Sequence, residues 1–225
     1  MKYIILISAI TEWIAVKNTL SPGSIQESPF GEFFDTNLDG MEFTFFHAGW
    51  GKTASAGAIQ YVIDHFSPTL TINLGTCGGF KGAVELDDVI LVERTFMYDI
   101  VELMGDFGSV PDYYASNLDL SWLPEPYPYP VRRGTLASAD SDLPPERISQ
   151  LKEQGAIAAD WESAAIAWVA QKNSARLLIL RAVSDLVSEE WGEAYDNIEL
   201  FKERTKGIMR RLIEQLPGWV ARIDL

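Results

Sequence analysis

LLILRAVSDLVSEE, residues 177–190, begins as an apolar run and ends abruptly in charge. Leu177 to Leu180 reads as a buried strand. Arg181 follows at once, and Asp185 comes four residues later with Ser184 beside it. In open α/β sheets ligands bind at the carboxyl ends of strands, so a cation and a carboxylate there are candidates for chemistry. A solvated strand-to-helix loop explains the same polarity, because such loops run over the surface.

Outward from this stretch, strand and helix patterns alternate. YIILIS (3–8), MEFTFFHA (41–48), LTINLG (70–75), DVILVER (88–94) and VRRGTLAS (131–138) have the apolar or alternating character of strands. Helices are expected at roughly 52–66, 146–154, 161–172 and 197–216, and a short segment at 156–159. Residues 96–130 have no periodicity, and PEPYPYP (124–130) cannot hold a helix or a central strand, since proline lacks the N–H and fixes φ. That long aromatic loop is expected to cover a site or form a subunit contact. The pattern predicts one domain over 1–225, an α/β three-layer αβα sandwich on a mixed, largely parallel central sheet.

Composition narrows the partners. The formal net charge is −14, from 18 basic and 32 acidic residues, which argues against nucleic acid or an anionic membrane. A single cysteine, Cys77, excludes an intramolecular disulfide, and with only His47 and His65 no metal site is expected. His47 reads as a strand-end hydrogen-bonding residue, and Trp168, seven residues after Trp161, as core. The N-terminal run is short, is broken by Ser8 and meets Glu12 and Trp13 where a cleavage site would stand, so it reads as a first strand. No apolar run approaches the roughly 18 residues a membrane span needs, and a cytoplasmic protein is expected.

Two further stretches carry chemistry. INLGTCGGFKGA (72–83) runs a strand into Gly75, Thr76, Gly78 and Gly79, where backbone can approach an oxygen-rich ligand, or simply make a tight turn. Its spacing is not the dinucleotide fingerprint. ADWESAAIAWVA (159–170) opens a helix with Asp160 and Glu162. Asp160 reads as a capping carboxylate. Glu162, among small residues that leave it little access to solvent, is suited to accept hydrogen bonds from sugar hydroxyls.

In order along the chain, HAGWGKTASA (47–56), INLGTCGGF (72–80), GTLASADSDL (134–143), DWESAAIAWVA (160–170) and LLILRAVSD (177–185) resemble the nucleoside phosphorylase and nucleosidase family. The pattern is most similar to that of the methylthioadenosine/S-adenosylhomocysteine nucleosidases. The resemblance implies a phosphorylase/hydrolase-like fold, a purine nucleoside as the small-molecule partner, no cofactor, and a homodimer. It implies that Asp185, oriented by Ser184, protonates the purine N7, a task for a carboxyl group kept protonated by burial. Glu162 would bind the ribose hydroxyls and face an oxocarbenium-like charge. Thr76 and Arg181 would help position the nucleophile beside the Gly78 turn.

The chain departs from that pattern at several positions. Trp161 stands where the family has methionine, which changes the sugar pocket. Asp142 and Leu143 replace an aromatic and an aliphatic residue around the base; Asp142 either accepts from a base N–H or faces water. The family's water-activating glutamate follows an alanine by four residues, whereas Glu12 follows Ala9 by three. Glu12 remains the candidate base. Family phosphorylases hold phosphate with arginines in the first loops, and this chain has no arginine before Arg94, which favours water as nucleophile. A phosphate-dependent phosphorylase and a non-catalytic nucleoside-binding module are the alternatives.

Overall fold

In a computed structural model of the protein, residues 1–101, 104, 112–188 and 197–223 are described. In chain order they form β1 (Tyr3–Ile7), α1 (Ile10–Leu20), β2 (Gln26–Ser28), β3 (Gly31–Leu38), β4 (Met41–His47), α2 (Gly51–Phe66), β5 (Leu70–Phe80), β6 (Val89–Met97), β7 (Ser116–Asn117) and β8 (Arg132–Ser138). A 3-10 turn (Pro145–Arg147), α3 (Ile148–Glu153), β9 (Ala156–Asp160), α4 (Ser163–Lys172), β10 (Leu177–Val187) and α5 (Ile198–Val220) complete the order.

Side chains alternate across a strand, and in β1 that alternation divides the core. Tyr3, Ile5 and Ile7 join a cluster with Trp13 and Val16 of α1 and Met209, Leu212 and Leu216 of α5. Ile4 and Leu6 join another with Ala58, Ile59 and Val62 of α2 and Ile166, Ala167 and Ala170 of α4. Each fully buried aliphatic side chain contributes roughly 1.5–3 kcal/mol, so the β1 run alone ties both helix pairs to the sheet. In α4 the alanines serve that packing, because small side chains let the helix lie close to the strands.

The sheet is mixed, as expected, and its strands fall into two parallel groups. Strands β4, β1, β5 and β10 are mutually parallel, as are β6, β8 and β9. The two groups meet antiparallel at β10–β6 and β5–β9, and β2, β3 and β7 add further antiparallel ladders. Parallel ladders still hold the larger share of the paired residues, the longest being β10–β5. Because β10 pairs with both β5 and β6, and β9 pairs with both β8 and β5, these five strands close into a ring.

Two local features permit this closure. Gly79 lies where a Cβ would meet Val84 Cγ2 at 2.5 Å and Val183 Cγ1 at 2.6 Å, so only glycine lets the strands approach there. In β10 the register against β5 shifts between Val183, opposite Cys77, and Asp185, opposite Gly78. Ser184 is the extra residue of this bulge, which sharpens the local twist.

Several elements were not legible in the expectation. The segment after β1 is helix α1 rather than a loop, and β2 and β3 form a hairpin edge. Strands β5, β6 and β10 run longer than expected, to Phe80, Met97 and Val187, and α5 continues through Pro217 to Val220. Of the aromatic loop, residues 102–103 and 105–111 lie outside the described residues, as do 189–190 of the 177–190 stretch. Tyr98 of the loop lines the cavity described below, whereas Tyr113 and Tyr114 pack against Trp168, and Tyr127 and Tyr129 against Trp219. Trp168 is partly buried at the edge of the α2–α4 cluster. His47 contacts the Ser8 carbonyl oxygen through Nε2 at 3.1 Å and stacks on Trp13, a strand-end role as expected.

Candidate active site

A cavity of about 490 Å³ opens where β5, β9 and β10 end. The first turn of α1 closes one side with Ala9, Ile10, Thr11 and Glu12. Of the residues expected at a site, Glu12, Thr76, Gly78, Asp142, Leu143, Trp161, Glu162, Ser184 and Asp185 all line it. Arg181 does not. It is 1% exposed and lies behind the wall. Among the described lining residues none is lysine, arginine or histidine, while Glu12, Asp142, Asp160, Glu162 and Asp185 contribute carboxyl groups.

The bulge in β10 sets which side chains face the cavity. Leu177, Ile179 and Val183 point toward α2 and α4, and Arg181 shares their parity. Without Ser184 in excess, Asp185 would point the same way. With it, Leu186 takes that face and Asp185 lines the cavity. Ser184 Oγ donates to Asp185 Oδ1 at 2.7 Å and also lies 3.3 Å from the Cys77 carbonyl oxygen. The opening puzzle of the 177–190 stretch thus has a geometric answer: one strand sends a cation inward and, one inserted residue later, an acid into the cavity.

Glu12 reaches the cavity from α1 despite its offset from the family spacing. Its Oε1 accepts from the Thr76 backbone N–H at 2.6 Å and from Thr76 Oγ1 at 2.9 Å. Its Oε2 is buried and accepts no hydrogen bond. Burial pushes the carboxyl up from its ordinary value, opposed by the Arg181 charge and the Thr76 bonds. Thr76 therefore orients Glu12, which in turn faces the cavity.

Glu162 stands at the N-cap of α4 and is 5% exposed. Its Oε1 accepts from the Gly51 backbone N–H at 3.1 Å, which ties the start of α2 to this wall. Burial first, and then repulsion from Asp160, raise its pKa to about 8 despite Arg181 nearby. Trp50 and Trp161 line the cavity with it, their ring centroids 4.8 Å apart, and Trp50 is 67% exposed.

Behind the wall, Arg181 is held by three side chains. Its Nη2 pairs with Asp160 Oδ2 at 2.9 Å and donates to Asn73 Oδ1 at 2.8 Å, and its Nε donates to Ser163 Oγ at 2.9 Å. Glu162 Oε2 is farther, at 4.0 Å. Gly75 makes room for this arrangement, since a Cβ there would lie 1.8 Å from Arg181 Nη1 and 2.9 Å from Glu12 Oε1. Asp160 does cap α4, accepting from the Ser163 N–H at 3.2 Å. It also accepts from the Ser138 and Ser163 hydroxyls. The capping expectation captured only the first of these contacts. Asn73, Ser138 and Ser163 lie inside the quoted motifs with no role assigned to them there, and Trp50 stood unremarked inside HAGWGKTASA (47–56).

A family model described as the phosphorylase superfamily matches residues 19–214. The chain belongs to the phosphorylase superfamily. The matched span begins after Glu12, so the placing of that residue rests on its contact with Thr76. Within the superfamily, the chain is similar to the 5'-methylthioadenosine/S-adenosylhomocysteine nucleosidase of Geobacillus kaustophilus, 29% identical over 205 residues, covering 85% of this chain and 87% of that protein. The nucleosidase of the same name from Maridesulfovibrio salexigens is 28% identical over 210 residues, covering 86% and 90%. Among solved structures, the Streptococcus pneumoniae MTA/SAH nucleosidase in complex with 8-aminoadenine has a TM-score of 0.79 at 22% identity, covering 99% of this chain and all of that one. At that identity the likeness shows the superfamily fold alone.

Proposed function

We propose that the protein is a purine nucleosidase, which hydrolyses the N-glycosidic bond of a 5'-modified purine nucleoside such as methylthioadenosine or S-adenosylhomocysteine. The observation that carries this reading is Glu12. One of its oxygens is held by Thr76 and the other is bare, buried and at the cavity wall, as a base that takes a proton from water requires. The relatives' names supply the substrate class.

In this reading Asp185, oriented by Ser184, gives a proton to N7 of the departing base, which leaves as a neutral purine. The C1'–N9 bond breaks ahead of attack, and positive charge develops on the ribose ring. Glu162 accepts hydrogen bonds from the ribose hydroxyls and, once ionised, stabilises that charge. Glu12 removes a proton from the attacking water as the C1'–O bond forms, giving free sugar. Trp161 lies against the sugar, Asp142 and Leu143 beside the base, and Gly78 leaves backbone room between them. Arg181 acts through its neighbours and not on substrate.

Water rather than phosphate is supported by charge. A cavity lined by carboxyl groups, with no lysine, arginine or histidine among its described lining residues, repels a phosphate dianion and favours a cationic transition state. The αβα description of the half built on β1 belongs to the same reading, supported by the two helix pairs packed on opposite faces. A cytoplasmic homodimer completes it. Exposed Ile10 and Ile14, one turn apart on α1, provide apolar surface for such a contact, and light scattering on the purified protein reads the mass directly.

The test is product analysis on a panel of purine nucleosides with and without phosphate. Free base and free sugar in equal amounts, independent of phosphate, are expected. Sugar 1-phosphate formed only with phosphate overturns the choice of nucleophile, and binding without release of base overturns catalysis.

A further inference from the structure

The cavity wall contains an imbalance. Glu12 from α1, Asp160 from β9 and Glu162 at the start of α4 surround a single buried guanidinium, with the Cys77 thiol of β5 beside them. An unopposed arginine in so dry a place would pair with the nearest free carboxylate, because attraction strengthens as the local dielectric falls. Glu162 is within reach at 4.0 Å, and Glu12 lies with Arg181 Nη1 against Gly75. The contact made instead is with Asp160, at 2.9 Å.

We propose that Asp160 is a positioning residue, which holds the Arg181 guanidinium against Asn73 and Ser163 and so keeps it from pairing with Glu162 and Glu12. The proposal rests on the roles given above to those two glutamates. Asp160 is itself clamped by the Ser138 and Ser163 hydroxyls and the Ser163 N–H, and Ser138 Oγ accepts from the Ala164 N–H at 3.0 Å. This carboxylate is therefore fixed by the ends of β8 and α4. It cannot swing away to release the arginine, and Asn73 takes the second bond of the same Nη2. Held so, the cation offsets a carboxylate that takes no part in the reaction. Glu12 is left with an oxygen that accepts no hydrogen bond, and Glu162 Oε2 stays 4.0 Å from the guanidinium, beyond hydrogen-bond distance. The raised pKa of Glu162 agrees, since Asp160 repulsion outweighs the attraction of Arg181 there.

The experiment is a 13C carboxyl NMR titration of Glu12 and Glu162 in the wild-type protein, Asp160→Asn and Asp160→Glu, with kcat and KM followed over the same pH range. In Asp160→Asn the freed guanidinium turns to the glutamates. Their titration midpoints then fall by about one to three pH units, the range an adjacent cation produces. The acid limb of kcat moves down with them, and kcat falls while KM changes little. Asp160→Glu restores the charge and keeps the wild-type midpoints. If Asp160→Asn does not fold, Asp160→Ser, which keeps hydrogen bonding to Ser138 and Ser163, is expected to show the same shift. Removing Asp160 repulsion by itself lowers Glu162, so Glu12 decides: a Glu12 midpoint that stays in place or rises in a folded variant overturns the proposal and leaves Asp160 as a helix cap, which lowers thermal stability without moving Glu12. A wild-type protein that releases no base overturns the nucleosidase reading, while the titration shift is still read.

Discussion

Replacing Glu12 by glutamine tests the reading at its centre, because Glu12→Gln keeps shape and removes only the base. The wall need not be rebuilt: the amide oxygen of the new side chain takes the place of Oε1 and receives the Thr76 N–H and hydroxyl bonds of 2.6 and 2.9 Å. The NH2 group occupies the position of Oε2, which accepts no bond in the native protein. What disappears is the capacity to take a proton from water. A positioned general base contributes roughly 10²- to 10⁴-fold, and at about 1.4 kcal/mol per tenfold this corresponds to some 3–5 kcal/mol of barrier. Expected is a fall in kcat of that size with KM changed less than about threefold, since a residue acting in the transition state alone lowers kcat and kcat/KM together. Thermal stability near pH 8 should not fall, because a neutral amide is cheaper to bury than the charged carboxylate whose burial raises its pKa. The assay is steady-state base release with parallel melting curves. A kcat within about threefold of wild type removes Glu12 from the chemistry, and a rise in KM at constant kcat makes it a binding group instead.

Three further outcomes follow from the same geometry. Asp185→Asn should lower turnover by roughly 10²- to 10⁴-fold while equilibrium dialysis shows nucleoside binding retained; full activity would exclude it as the proton donor. Gly75→Ala forces a methyl group to within 1.8 Å of Arg181 Nη1, an overpacking expected to cost about 1–3 kcal/mol in denaturant unfolding and to abolish turnover, whereas a neutral result would mean the guanidinium is free to move. Glu162, whose pKa is raised from 4.5 to about 8, holds a proton in the folded state that the unfolded chain has lost. Its contribution to stability is therefore complete below about pH 4.5 and is lost as pH rises toward 8. Glu162→Gln should flatten that decline in pH-dependent unfolding, and an unchanged slope would assign the decline elsewhere.

The β1, β4, β5 and β10 strands were legible because buried parallel strands read as continuous apolar runs, α2 because glycine and proline punctuate its ends, and α4 because Asp160 and Glu162 open an alanine-rich run. Helix α1 was not, since its apolar residues interleave with Glu12, Lys17 and Asn18 and its packing on α5 supplies the order. The β2–β3 hairpin carries exposed Gln26, Glu27 and Asp35, a polar face that resembles loop. For the site, motif order brought out the residues that line the cavity. Asp160 looked like a cap because a carboxylate just ahead of a helix usually is one, and its ion pair depends on a strand that is distant in sequence. Ring closure is invisible to periodicity, since the β5–β9 and β10–β6 ladders join segments with no mutual pattern.

That ring has a bearing on how a nucleoside enters. A strand in an open sheet can lean outward at the cost of a few frayed bonds, but a hoop gives way only when a whole ladder parts. Carboxyl groups mounted on β9 and β10, hung from the turn that follows β9, or tied to β5 through Thr76 as Glu12 is, thus keep fixed separations whether the cavity is filled or not. Breathing is delegated to what lies outside the hoop: the Trp50 turn, the 141–143 segment and the first turn of α5, each of which contributes to the rim. The enzyme's moving parts and its reacting groups reside in different pieces of chain, so substitutions at the rim should alter how fast ligands pass while leaving the acid and the base where they stand.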